Sequence, residues 1–173
     1  MYKLMIVDDE LLMRVGIRSM LNWEEFDFCV IGEAGNGKEG LELAIEASPD
    51  LIITDIKMPI MDGLKLIKEA SIVLKNCKYV ILSNFDELHY VKEALKLGAV
   101  DYLIKSEITE TSLIELLTKI RQKLQSEQHS LTNVPFVQHD YSKSLRHLKD
   151  SFFQDIVSGF ICEKDMITKA EEL

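Results

Sequence analysis

The sequence predicts an α/β fold in which a five-stranded parallel sheet is covered by helices on both faces. Five short apolar runs lack polar alternation, as strands buried on both sides do. Amphipathic stretches at helical spacing separate them, and strand alternates with helix through short connections.

The elements follow in order. Leu4 to Val7 is the first strand, and Met13, Ile17, Met20 and Leu21 mark the apolar stripe of the helix after it. Cys29 to Ile31 precedes a helix carrying Leu41, Ala44 and Ile45, which Pro49 stops. Leu51 to Ile53 precedes a helix with Asp62 as its cap and Leu64, Ile67 and Leu74 on its inner face. Tyr79 to Leu82 leads to a fourth helix, closed by Gly98 after Leu97. Val100 to Ile104 leads to the fifth helix, Thr109 to about Gln125, which buries Leu113, Leu117, Ile120 and Leu124. The apolar pattern then fades. Residues 1–125 read as one domain and 126–140 as a linker containing Pro135. From Tyr141 helical periodicity resumes through Leu145, Leu148, Phe152, Ile156 and Val157, so 141–173 reads as a C-terminal helical extension, the start of an incomplete helical unit.

Composition narrows the class. With 173 residues, 47% of them hydrophobic, the chain can bury one domain of ordinary size and leave a remainder. Twenty basic against 29 acidic residues, a net charge of −9, would repel a polyanion, so this stretch alone is not expected to grip DNA. Cys29, Cys77 and Cys162 are odd in number and far apart, which suits a reducing cytoplasm better than a disulfide framework. No apolar run approaches a membrane span and Met1 to Val7 is too short for a signal peptide, so a soluble protein without membrane association is expected.

The polar residues that interrupt this pattern converge. Asp8 and Asp9 follow the first strand, Asp55 ends the third, Ser83 the fourth and Lys105 the fifth. Carboxyl ends of parallel strands share one edge, where open α/β sheets place their ligands. Any one of these residues alone fits a turn or a helix cap; the shared strand ends carry the reading. Three carboxylates at close range repel one another unless a cation is present, and hard oxygen donors suit magnesium. Ser83 and Lys105 would then hold the oxygens of an incoming phosphoryl group.

Other chemistries fit less well. Gly32 to Lys38 matches the first seven positions of a phosphate-binding loop, but the eighth is Glu39 where a hydroxyl is needed for magnesium. An aspartyl-phosphate hydrolase would need a second aspartate at position 57, which is Lys57. His89, His129, His139 and His147 have no ligand spacing.

The opening MIVDDE, the segment PDLIITDIKMPIMDGL, VILSNFDE and GAVDYLIK together resemble the receiver domain of two-component response regulators, over residues 1 to about 125. The resemblance implies a flavodoxin-like sheet of order 2-1-3-4-5. It implies Asp55 as phosphoacceptor from a sensor histidine kinase, and magnesium on Asp9, Asp55 and the Lys57 backbone carbonyl, with Asp8 acting mainly through water. Pro59 and Gly63 would shape the loop after Asp55. Lys105 would clamp the phosphoryl group, and Ser83 and Tyr102 would form a switch; Phe85, just beyond Ser83, reads either as a further member of that switch or as an aromatic that anchors the loop. Such a chain is a signalling switch that catalyses only its own phosphorylation and dephosphorylation. Arg14, Gly16 and Ile17, Trp23, GEAGNGKEGLELA and LSNFDELHYVKEALKLG are similar to the receivers that precede AraC-type helix-turn-helix domains. That implies a transcriptional output reaching DNA only through a domain absent from this chain; if phosphorylation drives dimerisation, a homodimer is expected through the fourth helix, fifth strand and fifth helix. The alternative is a stand-alone receiver acting through protein contact. One departure is Ser106, where many receivers have proline after the lysine.

Overall fold

The structure, a computed structural model, describes residues 1–84 and 88–132. Readings for Phe85 and for 133–173 lie outside the described residues. The order of elements is β1 (Tyr2–Val7), α1 (Leu11–Met20), β2 (Phe28–Ala34), α2 (Gly37–Ala47), β3 (Leu51–Asp55), α3 (Gly63–Val73), β4 (Lys78–Ser83), α4 (Leu88–Lys96), β5 (Ala99–Ile104) and α5 (Glu110–Thr132). Short 3-10 turns occupy Trp23–Phe26 and Lys105–Glu107. The five strands form one parallel sheet in the expected order β2-β1-β3-β4-β5.

Successive strand side chains point to opposite faces, and the strands are apolar on both, so the chain has two core layers. Met5 and Val7 of β1, Ile52 of β3 and Ile81 of β4 pack under α2, α3 and α4 against Ala44, Leu66, Ile67, Ala70, Val91 and Ala94. Leu4, Ile6, Ile53 and Leu82 pack on the other face, under α1 and α5, against Ile17, Leu113, Leu117 and Ile120. Each fully buried Leu or Ile contributes about 1.5–3 kcal/mol of burial, which holds the strands, and hence their carboxyl ends, in place.

Local signals act where the sequence puts them. Asp62 Oδ1 accepts from Lys65 N at 2.7 Å and starts α3. Asn36, at the start of α2, likewise accepts from Glu39 N at 3.0 Å. After α2 the chain turns through Ser48, at φ 50°, into Pro49. Gly98 follows α4 at φ +107°, a conformation that favours glycine.

One expectation is revised: α5 runs beyond Gln125 to Thr132, into the first part of the expected linker. The polar residues there lack an apolar stripe but still favour helix, and Glu127 takes a 2.7 Å bond from Lys78 Nζ at the start of β4.

Candidate functional site

Strand register builds the site. Val7 is paired with Thr54, so the residues that follow, Asp8 and Asp55, fall side by side at the β1/β3 edge. That is where the strand order reverses, the expected place for a ligand crevice. Asp55 pairs with Leu82, and Ser83 pairs with Ile104, which puts Ser83 and Lys105 next along the same edge.

The carboxylate oxygens of Asp8, Asp9 and Asp55 can all lie within 4.8 Å of one another. Asp8 and Asp55 are buried while Asp9 is exposed. The Lys105 ammonium lies 2.9 Å from both Asp8 Oδ2 and Asp55 Oδ2 and 3.2 Å from Glu10 Oε1. Its hydrogen bonds go to Asp55 and Glu10, leaving Asp8 Oδ2 in ion contact without a directed bond. Asp8 Oδ1 accepts from Glu10 N at 2.8 Å, and Asp55 Oδ1 from Ile56 N at 2.7 Å.

Burial is the main influence on these groups. It raises the Asp55 carboxyl to about 6, against the lowering effect of the Lys105 hydrogen bond and charge. Asp8 is raised for the same reason, with Lys105 again opposing. For Lys105 burial alone would lower the ammonium, but its close contacts with the Asp55 and Asp8 carboxylates outweigh that and raise it. Two buried carboxylates with exposed Asp9 and Glu10 beside them exceed the charge of one lysine. A hard divalent cation suits that donor set, and the cluster is a plausible magnesium site.

Ser83 is fully buried, and its Oγ has no hydrogen-bond partner among the described residues. A buried hydroxyl without a partner costs about 1–3 kcal/mol, so it stands ready for a ligand oxygen. Tyr102 is 40% exposed and stands at the level of Ile81 on β4, two residues before Ser83. Lys57 is exposed, with its ammonium 5.7 Å from the centre of the Tyr90 ring.

The loop after Asp55 closes tightly. Gly63 N donates to Ile56 O at 2.8 Å, and a Cβ on Gly63 would fall 2.0 Å from the Asp55 carbonyl oxygen. Gly37, from the phosphate-loop look-alike, donates to Met61 O at 3.0 Å, and a Cβ there would lie 2.5 Å from that oxygen. That glycine lets α2 approach the β3–α3 connection, which is a packing role. After Lys105 the chain continues through Ser106 in a 3-10 turn.

Two contacts were not legible as function in the sequence. Glu10 occupies the N-cap position of α1 without a capping bond and reaches Lys105 instead. Arg14, half a helix further on, donates from Nη1 to the Asp8 carbonyl at 2.6 Å. The DDE run hints at Glu10, but nothing in the chain order points Arg14 back at Asp8.

Comparison with known proteins converges on this arrangement. The profile of a family described as "Response regulator receiver domain" matches residues 4–125. A Bacillus subtilis (strain 168) protein described as an uncharacterized transcriptional regulatory protein, YesN, is 33% identical over 92% of this chain and 43% of its own length. The chain spans about half the length of the curated relatives it matches. Among solved structures, the REC domain of AraT, a response regulator from Geobacillus stearothermophilus, is 42% identical with a TM-score of 0.70, covering 73% of this chain and 98% of that one. A structure described as a two component transcriptional regulator AraC from Clostridium phytofermentans is 29% identical with a TM-score of 0.68, covering 74% and 98%.

Proposed function

The chain belongs to the response regulator receiver domain family, and from that premise we propose that it accepts a phosphoryl group on the Asp55 carboxylate from a phosphohistidine of a sensor histidine kinase. The observation that carries the reading is the buried Asp55 held 2.9 Å from Lys105 at the strand edge it shares with Asp8, Asp9 and Ser83.

In the reaction one Asp55 oxygen attacks phosphorus in line, the donor N–P bond breaks, and an acyl O–P bond forms. Asp9 and Asp55, with the Lys57 carbonyl and with Asp8 through water, would hold magnesium, whose charge offsets that of the carboxylates and the arriving oxygens. Lys105 neutralises a further phosphoryl oxygen, and the Ser83 hydroxyl, without a partner among the described residues, donates to another. The product carries nearly two negative charges, which draw Ser83 and Lys105 inward and free space for Tyr102 to leave its exposed position. Phe85 is assigned to the same switch.

The kinase would approach across the exposed apolar side chains Leu11, Leu12 and Val15 of α1, which begins directly after the acids, and Ile60 of the loop after Asp55. Output is read as transcriptional. The names of the relatives support transcriptional output, while the AraC-type likeness of several segments and the name of one solved structure support a partner domain of AraC type, with 1–125 as receiver, 126–140 as linker and 141–173 as the lead-in. DNA contact and a cytoplasmic location belong to that reading. Dimerisation would use the α4, β5 and α5 face, where Tyr102 is exposed beside Leu103 and Leu116.

Intact mass after incubation with magnesium and acetyl phosphate tests the assignment. Wild type should gain one phosphoryl group and Asp55→Asn none; equal labelling of both would overturn it. Light scattering with a beryllofluoride phosphoryl mimic tests the dimer, and an unchanged monomer mass would count against it.

A further inference from the structure

We infer that Arg14 is a positioning residue for the acidic pair: braced by Glu33, it fixes the Asp8–Asp9 peptide and so sets where the Asp9 carboxylate meets magnesium. The inference rests on the metal-site reading above. Its basis is how differently the two aspartates are held.

Asp8 is fixed from every side. Its N–H donates to Ala34 O on β2 at 3.1 Å, its Oδ1 accepts from Glu10 N, and its Oδ2 faces Lys105. Asp9 is exposed, and among the described residues no hydrogen bond or ion pair holds its carboxylate. Its placement therefore depends on the backbone that precedes it. The peptide unit joining the two residues is planar, so orienting the Asp8 carbonyl orients the Asp9 amide as well.

Arg14 Nη1 makes that contact at 2.6 Å, from a side chain only 15% exposed. Glu33 of β2 lies against the guanidinium in turn, with Oε2 in ion contact 3.4 Å from Arg14 Nε but without a directed hydrogen bond, while its Oε1 takes Arg18 Nη1 at 2.8 Å. A planar guanidinium serves the carbonyl and the carboxylate at once, which a lysine ammonium at the same place does not. The strut runs from β2 through α1 to the acidic loop, and so ties the loop to two elements of the fold.

The test titrates magnesium alone into the full chain by calorimetry, for wild type and the variants Arg14→Met, Arg14→Lys and Glu33→Gln, with thermal melts alongside. Arg14→Met should bind magnesium about tenfold more weakly, the usual cost of removing a support one contact away from a ligand. Arg14→Lys should recover part of the loss, and Glu33→Gln should weaken binding by less than Arg14→Met. With acetyl phosphate, the variants should need more magnesium for half-maximal labelling yet approach the wild-type rate at saturation, a split that general loss of structure would not give. A folded Arg14→Met with wild-type magnesium affinity overturns the inference. If that variant does not fold, wild-type affinity in Glu33→Gln overturns it. A wild type that binds no magnesium would instead remove the metal site itself, and the inference with it.

Discussion

Gly63→Ala puts the geometry of the phosphoacceptor to the test. A Cβ at this position would fall 2.0 Å from the Asp55 carbonyl oxygen, 3.0 Å from the Asp55 carbonyl carbon and 3.2 Å from Thr54 Oγ1. Real Cβ atoms do not approach a neighbour within 3.0 Å, and the obstacle here is backbone, so no rotamer change relieves it. Either the start of α3 or the end of β3 must give way by about 1 Å. Forced overpacking of this kind costs about 1–3 kcal/mol, measured by urea denaturation. The same displacement falls on the residue that carries the nucleophile, and a misplacement of about 1 Å can lower a rate about 100-fold. The assay is the rate of labelling by acetyl phosphate at saturating magnesium. Gly16→Ala in α1 is the control: nothing lies within 4 Å of its Cβ, and a helix-interior glycine replaced by alanine should gain about 0.5–1 kcal/mol with the rate unchanged. A Gly63→Ala chain labelled at the wild-type rate would refute the claim that this glycine positions Asp55.

Four further outcomes are expected. Because burial raises Asp55 to about 6, labelling of the wild type should fall as pH drops through that value and the carboxylate protonates; a rate flat down to pH 4.5 would argue against it. A raised carboxyl also favours the folded state most below the unfolded value of 3.8 and loses that contribution as pH rises through about 6. Asp55→Asn should therefore be more stable than wild type at pH 7 by at most about 3 kcal/mol, less what Lys105 loses, with the gain gone below about pH 4 in denaturation curves. Ile60 holds φ 70° with its side chain 77% exposed, a costly conformation for a β-branched residue, so Ile60→Asn should raise urea-measured stability by about 1 kcal/mol, and a loss would refute the strain. Leu12→Glu places a charge at an 84% exposed apolar position on α1; transfer from a histidine kinase should slow about tenfold while labelling by acetyl phosphate is unchanged, and equal transfer would remove α1 from the docking surface.

Much of this molecule is legible in one dimension because its signals are local or periodic. Apolar runs without alternation mark strands buried on both faces, and the Asp62 cap and Gly98 exit act within a few residues of themselves. Asp8, Asp9, Asp55, Ser83 and Lys105 could be gathered from the sequence because parallel strands align their carboxyl ends, so order alone brings them to one edge. Contacts between residues that share neither an element nor a strand end needed the tertiary structure. The reach of Glu10 to Lys105, the Arg14 bond to the Asp8 carbonyl and the Glu33 brace depend on how α1 rests against β1 and β2. Gly37 shows the converse, since a phosphate-loop spacing proves to be close packing against Met61. The length of α5 was also decided in three dimensions, where Lys78 meets Glu127 beyond the last apolar turn. The sequence determined which residues share the phosphoacceptor edge; packing decided which of them are buried, how each is held, and that the Ser83 hydroxyl finds no partner among the described residues.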